Sequence, residues 1–334
     1  MASILQFSTP TPVDFESIKQ LTIDEAKAVD SLIIKQLSSD VLLINQMGRY
    51  IVSNGGKRLR PMLLLLAAKA LGQVEHNHLV LAAVIEFIHT ATLLHDDVVD
   101  ESDLRRGKQS ANAVWGNAAS VLVGDYLYSS AFEMMVGTNI MRVMEILSKT
   151  TTAIAEGEVL QLLNCNNPET TEEKYLEVIS RKTAILFSAA MKLAAVVSKT
   201  DPVIEENLAQ YGQHLGIAFQ LIDDALDYKA NKEELGKNLG DDLAEGKPTL
   251  PLIFAIKNSD PAQGNVIVEA IKNGDREAFN EVYAIVKSSG AIEYTEQRAN
   301  EEAQKAISAL KKLADSKYKE ALLALACFSV QRTY

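Results

Sequence analysis

The chain has 334 residues, 47% of them hydrophobic and 23% charged, the composition of a globular protein with a sizeable core, which excludes a disordered or fibrous chain. Lys+Arg 33 against Asp+Glu 44 leaves a net charge of -11, a field that opposes nucleic-acid phosphate and argues against a nucleic-acid partner. The only cysteines, Cys165 and Cys327, have neither a CxxC spacing nor the density of a disulfide scaffold, so zinc is unsupported and a reducing compartment fits.

Taken in chain order, the N-terminus MASILQFSTPTPVDFES lacks a basic region and a continuous apolar core. It does not read as a secretory signal, and a cytoplasmic protein is expected. Residues 1–20 read as a loosely ordered lead and 21–334 as one large helical domain, since no shift in composition divides the chain. Pro61 is placed to open a helix at Met62, and no proline follows until Pro168. That stretch is rich in Leu, Ala, Met and Glu and shows no alternation of apolar and polar residues, which predicts helices. Within it Leu79–Val99 is strongly apolar but carries Glu86, His89, Asp96 and Asp97. Charges at that density are costly in lipid, so this is expected to be a buried helix and no transmembrane segment. Thr170 or Thr171 is placed to cap the helix containing Tyr175, and Pro202 marks a boundary after Asp201. Gly and Pro then cluster in GKNLGDDLAEGKPTLP, residues 236–251, which reads as a functional loop. Helical patterning resumes at Leu252, and Tyr294–Leu313 reads as a solvent-facing helix. The fold class is all-α.

The chemistry is carried by an internal echo. LLHDDVVD, ending at Asp100, and QLIDDALD, ending at Asp227, each contain DDxxD in an apolar helical context. The first and last Asp of each motif are four residues apart and the middle and last three apart, so carboxylates stack along one side of a helix. A single copy is commonly a solvated face or a cap. Two copies set among Leu, Val and Ile need cations, protons or metal ions to be tolerated, and metal is the favoured account. Carboxylates without Cys or His companions select hard ions, of which Mg²⁺ is commonly shared with a substrate phosphate. Basic residues support a phosphate ligand: Lys57, Arg58 and Arg60 beside a glycine pair, Arg105 and Arg106 just after the first motif, and Lys182, Lys237 and Lys247 further on. His89 is placed to reach a polar site, whereas His95 reads as core packing. No P-loop, GxSxG or HExxH pattern is present.

With GGKRLRP, LLHDDVVDESDLRRG, AFQLIDDALDY and GKNLGDDLAEGKPTLP in that order, the sequence resembles the trans-isoprenyl diphosphate synthases, and among them the long-chain octaprenyl (polyprenyl) diphosphate synthases of bacteria. The resemblance covers nearly everything after Leu21. It implies an isoprenoid-synthase fold, a single helical domain around a central cavity, usually a homodimer. It implies head-to-tail (1'-4) condensation of isopentenyl diphosphate onto an allylic diphosphate, expected to be farnesyl diphosphate, with Mg²⁺ as cofactor. Asp96, Asp97, Asp100, Asp223, Asp224 and Asp227 match the metal-binding aspartates. Arg105 matches an allylic-diphosphate position, while Lys57, Arg60, His89 and Arg106 match positions holding isopentenyl diphosphate. Lys182, Gln220, Lys237 and Lys247 match further diphosphate-facing positions, Lys182 and Lys237 counted with the catalytic set; Asp241 and Asp242 take no ligand role. Ala91 and Thr92, small residues about one turn before Asp96, match positions where aromatic residues stop chain growth; Met134 and Met135, on a later apolar helix, are candidate floor residues, with ordinary core methionine the favoured alternative for at least one of them. A C40 product for a quinone side chain, as in ubiquinone biosynthesis, is expected, with a transient membrane contact at product release. The alternatives are a shorter-chain (C15–C20) prenyl diphosphate synthase or another ionising terpenoid synthase.

Overall fold

The computed structural model describes residues 14–53, 56–105, 107–229 and 240–332. Among these the chain is helical apart from a two-stranded hairpin, Leu104–Arg105 paired antiparallel with Lys108–Gln109. Two long helices organise the molecule. The first aspartate helix, His76–Val99, has 24 residues and is therefore roughly 36 Å long. Glu75 caps it, its backbone N–H donating to His78 Nδ1 at 2.9 Å, and Leu81, Val84, Ile85, Ile88 and Ala91 vanish into the core along it. This is the one described helix long and apolar enough to cross a membrane, and most of its apolar stretch is covered by protein. The second aspartate helix, Pro202–Leu226, starts as its sequence dictates: Asp201 accepts the Val203 N–H at 2.7 Å and proline fills the first turn.

Small residues let neighbours approach the second aspartate helix. A Cβ on Gly212 would lie 2.4 Å from the Phe187 carbonyl oxygen of the helix Ile185–Val197. On the other side Thr295, Ala299, Ala303 and Ala306 of Ala291–Ala309 are buried against it. That helix is therefore half core, and not simply solvent-facing as its polar composition predicts. The second aspartate helix also joins apolar clusters, Leu208, Tyr211 and Leu215 belonging to the large core and Leu221, Ile222 and Leu226 to a smaller one with Tyr175 and Leu250.

Several boundaries differ from expectation. The helix containing Pro61 begins at Leu59, because a proline in the first turn gives up only an N–H that has no intrahelical partner. Residues 1–13 lie outside the described part, but Phe15–Gln20 is a docked helix: Ile18 is fully buried and Phe15 stacks on Phe328 at 5.0 Å. The expected loose lead through residue 20 is thus shortened by apolar contacts with the far end of the chain. Within the expected loop 236–251, Asp241–Ala244 forms a short helical turn and Pro251 lies in the first turn of Leu250–Asn258.

Candidate active site

The first motif sits at the end of its helix, where Asp100 is the C-terminal cap. Asp96 and Asp100, one turn apart, each meet a lysine from a distant element. Lys182 Nζ is 3.5 Å from Asp96 Oδ2, and Lys247 Nζ is 2.9 Å from Asp100 Oδ2. Asp97 lies about 100° further round the helix and is 2% exposed. Its Oδ1 accepts from Arg105 Nε at 2.7 Å and also from Nη2, while its backbone oxygen accepts from Asn112 Nδ2 at 3.0 Å. Burial pushes the Asp97 carboxyl above its usual range, with Arg105 working against the rise.

The second motif repeats this division. Asp223 is exposed to the site and paired with Arg332 Nη2 at 2.7 Å. Asp224 is buried, accepting from Tyr175 Oη at 2.5 Å and from Gln220 Nε2 at 2.8 Å. Burial, reinforced by the charge of Asp242, drives its carboxyl well up. Thr183 in turn donates to Gln220 Oε1 at 3.1 Å. In both motifs the middle aspartate is tied into the protein, and the first aspartate faces a cation.

Lys182 reaches Asp96 from an irregular segment. Ser180–Ala184 is a π-helical turn, the kind of one-turn insertion that re-aims side chains. Two glycines on opposite sides give it room: a Cβ on Gly157 would lie 2.7 Å from the Lys182 backbone nitrogen, and one on Gly216 would lie 2.6 Å from Ala184 Cα. The Lys182 ammonium is also 2.6 Å from Glu158 Oε2. Burial raises the Glu158 carboxyl to about 7, with the Lys182 charge opposing. Lys247 is similarly shared, lying 2.5 Å from Glu245 Oε2. Burial disfavours its charge, but Asp100, Glu245 and Asp242 together outweigh burial and raise its pKa.

The basic cluster before the first helix divides. Arg58, held in the left-handed region at φ 46°, turns to Glu86 at 2.5 Å. Arg60 faces the other way, Nη1 3.1 Å from His89 Nε2 and its guanidinium 4.3 Å from the Phe187 ring centroid. Lys57 has its pKa lowered by burial and by Arg332, while Asp223 pulls it back. The C-terminal Arg332, the second motif and Lys57 therefore share one neighbourhood. Arg332 also lies over the Phe219 ring at 3.7 Å and donates to the Phe219 carbonyl at 2.8 Å. His95 leaves the core for the helix Asn117–Gly137, with Nε2 3.3 Å from Asp125; a Cβ on Gly124 would strike its ring. Ala91 and Met135 are fully buried, Thr92 and Met134 partly so. Arg106 and Lys237 lie outside the described residues.

Glu158, Glu245, Tyr175 and Arg332 are site neighbours that motif reading passes over. Gly157 in the middle of the helix Met141–Asn164 was the available signal, since a helix-interior glycine often marks close backbone approach; for Arg332 the sequence carries none. Among the described residues no three carboxylate, imidazole or thiolate groups form a ready cage for a metal ion. The donors on offer are all oxygen, presented a few at a time beside cations, and this suits Mg²⁺, which keeps waters and takes one or two carboxylates together with substrate phosphate.

The sequence model of the polyprenyl synthetase family matches residues 41–287. Octaprenyl diphosphate synthase of Escherichia coli (strain K12) is 56% identical over 255 residues, covering 76% of this chain and 79% of the relative. All-trans-nonaprenyl-diphosphate synthase (geranyl-diphosphate specific) of Rhodobacter capsulatus is 47% identical over 257 residues, 76% of this chain and 79% of its own. The crystal structure of polyprenyl synthase from Caulobacter crescentus CB15 complexed with calcium and isoprenyl diphosphate matches with TM-score 0.93 and 44% identity, covering 98% of this chain and 100% of that one.

Proposed function

Because the chain belongs to the polyprenyl synthetase family and is a trans-prenyltransferase, we propose that it adds isopentenyl diphosphate head to tail (1'-4) to farnesyl diphosphate, giving a long all-trans polyprenyl diphosphate of C40 length for a quinone side chain. The observation that carries this reading is the convergence of both aspartate motifs with cations drawn from the whole chain: Lys182 on Asp96, Lys247 on Asp100, Arg332 on Asp223. Relatives that make octaprenyl and nonaprenyl chains support the product length.

Mg²⁺ held by Asp96, Asp100, Asp223 and Asp227 would supply positive charge to the diphosphate as it leaves C1. Asp97 and Asp224, named with them by the motif, support the site from behind in this reading. Arg105, Lys182, Lys237 and Lys247 are assigned to the diphosphates, where their positive charges stabilise negative charge as it develops, and Gln220 is assigned with them as a neutral amide. Lys57, Arg60, His89 and Arg106 hold isopentenyl diphosphate, with Phe187 fixing the Arg60 plane. The double bond of isopentenyl diphosphate attacks the allylic cation, and the departing diphosphate takes the proton lost. Apolar walls keep water from the cation.

A homodimer is part of the reading. Leu122, Val136, Met141, Leu162 and Leu163 are each at least 60% exposed on two consecutive helices, an apolar surface of the kind that self-association covers. The buried first aspartate helix is consistent with a cytoplasmic enzyme that meets the membrane only at product release.

The test is substrate dependence. Purified protein is expected to release diphosphate only when allylic substrate, isopentenyl diphosphate and Mg²⁺ are all present. Lys57→Ala and Arg60→Ala are expected to raise KM for isopentenyl diphosphate by about tenfold or more, and the allylic KM much less. Equal effects on both substrates would show that the two sites are assigned wrongly, and diphosphate release from the allylic substrate alone would favour another ionising terpenoid synthase.

A further inference from the structure

Lys182 carries a compact charge on a flexible four-carbon stem, and a lysine left loose in a cavity samples many positions. Here its direction is set. The π-helical turn Ser180–Ala184 turns it inward, while its neighbour Arg181 runs outward to Glu156 at 2.5 Å and Glu177 at 2.8 Å. Gly157 lets the helix Met141–Asn164 approach the Lys182 backbone, and the next residue, Glu158, places Oε2 2.6 Å from the ammonium. With Asp96 Oδ2 at 3.5 Å, Lys182 is held by two carboxylates from different helices. One of these belongs to the motif; the other has no assigned task.

We propose that Glu158 is a positioning residue of the condensation, aiming the Lys182 ammonium at the space in front of Asp96 where the allylic diphosphate sits. The inference rests on reading Lys182 as a diphosphate-facing group. In this proposal Glu158 acts on the reaction through Lys182, whose ammonium it contacts at 2.6 Å. A diphosphate arriving at Asp96 finds the cation already in place and competes with Glu158 and Asp96 for it. Misplacing such a group by about 1 Å costs on the order of 100-fold in rate.

The experiment is a double-mutant cycle on the full chain with farnesyl diphosphate, isopentenyl diphosphate and Mg²⁺, with thermal melts by circular dichroism to check folding. Glu158→Ala is expected to lower kcat about 10- to 100-fold with the KM for isopentenyl diphosphate unchanged. Glu158→Gln, which keeps an oxygen acceptor for the ammonium, is expected to recover part of the loss. In a Lys182→Ala background the Glu158→Ala change is expected to add no more than about twofold, as residues acting through one group are not additive. Losses that multiply in the double variant would overturn the proposal. A Glu158→Ala variant at the wild-type rate beside an impaired Lys182→Ala would overturn the positioning role alone. A Lys182→Ala variant at the wild-type rate would remove Lys182 from the chemistry, and the proposal with it.

Discussion

Replacing Asp96 or Asp223 by alanine is expected to lower kcat by about 10³-fold or more while the protein stays folded. Each faces the site and is paired with a cation that keeps other partners when the carboxylate is removed. Lys182 retains Glu158 at 2.6 Å, and Arg332 retains the carbonyl of Phe219 at 2.8 Å. The loss therefore falls on the ionisation step, because charge on the departing diphosphate is left incompletely neutralised. Asp97 and Asp224 make poorer probes. Removing Asp97 breaks an ion pair to Arg105 at a buried carboxylate, a loss of about 3–5 kcal/mol, and removing Asp224 leaves the buried Tyr175 hydroxyl without its acceptor, a loss of about 1–3 kcal/mol. Steady-state kinetics with far-ultraviolet circular dichroism checks the expectation, and near-normal turnover in either Asp96→Ala or Asp223→Ala would contradict it.

Ala91→Phe is expected to shorten the product to about C15–C20 without abolishing condensation. Ala91 lies five residues before Asp96 and is fully buried, so a ring there must project into whatever space its helix borders. If a growing chain descends from the metal site along this helix, the ring blocks it about one turn down. If the space is ordinary core, the ring overpacks it at a cost of about 1–3 kcal/mol and leaves the product alone. Chromatographic sizing of the dephosphorylated product and a melting curve distinguish the two. The neighbouring helix extends well below that point. Ser120 Oγ bonds the Leu94 carbonyl at 3.0 Å, and Met135, fully buried, follows 15 residues later on the same helix, about 22 Å further along. A floor near Met134 and Met135 would lie below a block at Ala91 and so admit a longer product than the Ala91→Phe variant makes.

The helices were legible wherever proline, capping and apolar composition spoke together, as at Asp201–Pro202 and Thr171, which accepts the Lys174 N–H at 3.3 Å. The hairpin at Leu104–Arg105 was not, because two residues per strand are too few to show alternation. The aspartate motifs announced themselves by repetition, yet their spacing left open which aspartate each environment would claim. Adjacent helical residues point about 100° apart, and only the fold brings Arg105 to Asp97 and Tyr175 to Asp224. Glu158 and Arg332 illustrate the same limit. Each is an ordinary charged residue in sequence, and each acquires its place from a partner 24 or 109 positions away.

The measurement that bears most directly on the account is incubation of the purified chain with farnesyl diphosphate, excess isopentenyl diphosphate and Mg²⁺, followed by dephosphorylation and sizing of the prenyl alcohols. A dominant all-trans C40 product that disappears when the metal is chelated is the expected result. Products that end at C15 or C20, or none that contain isopentenyl units, would contradict it.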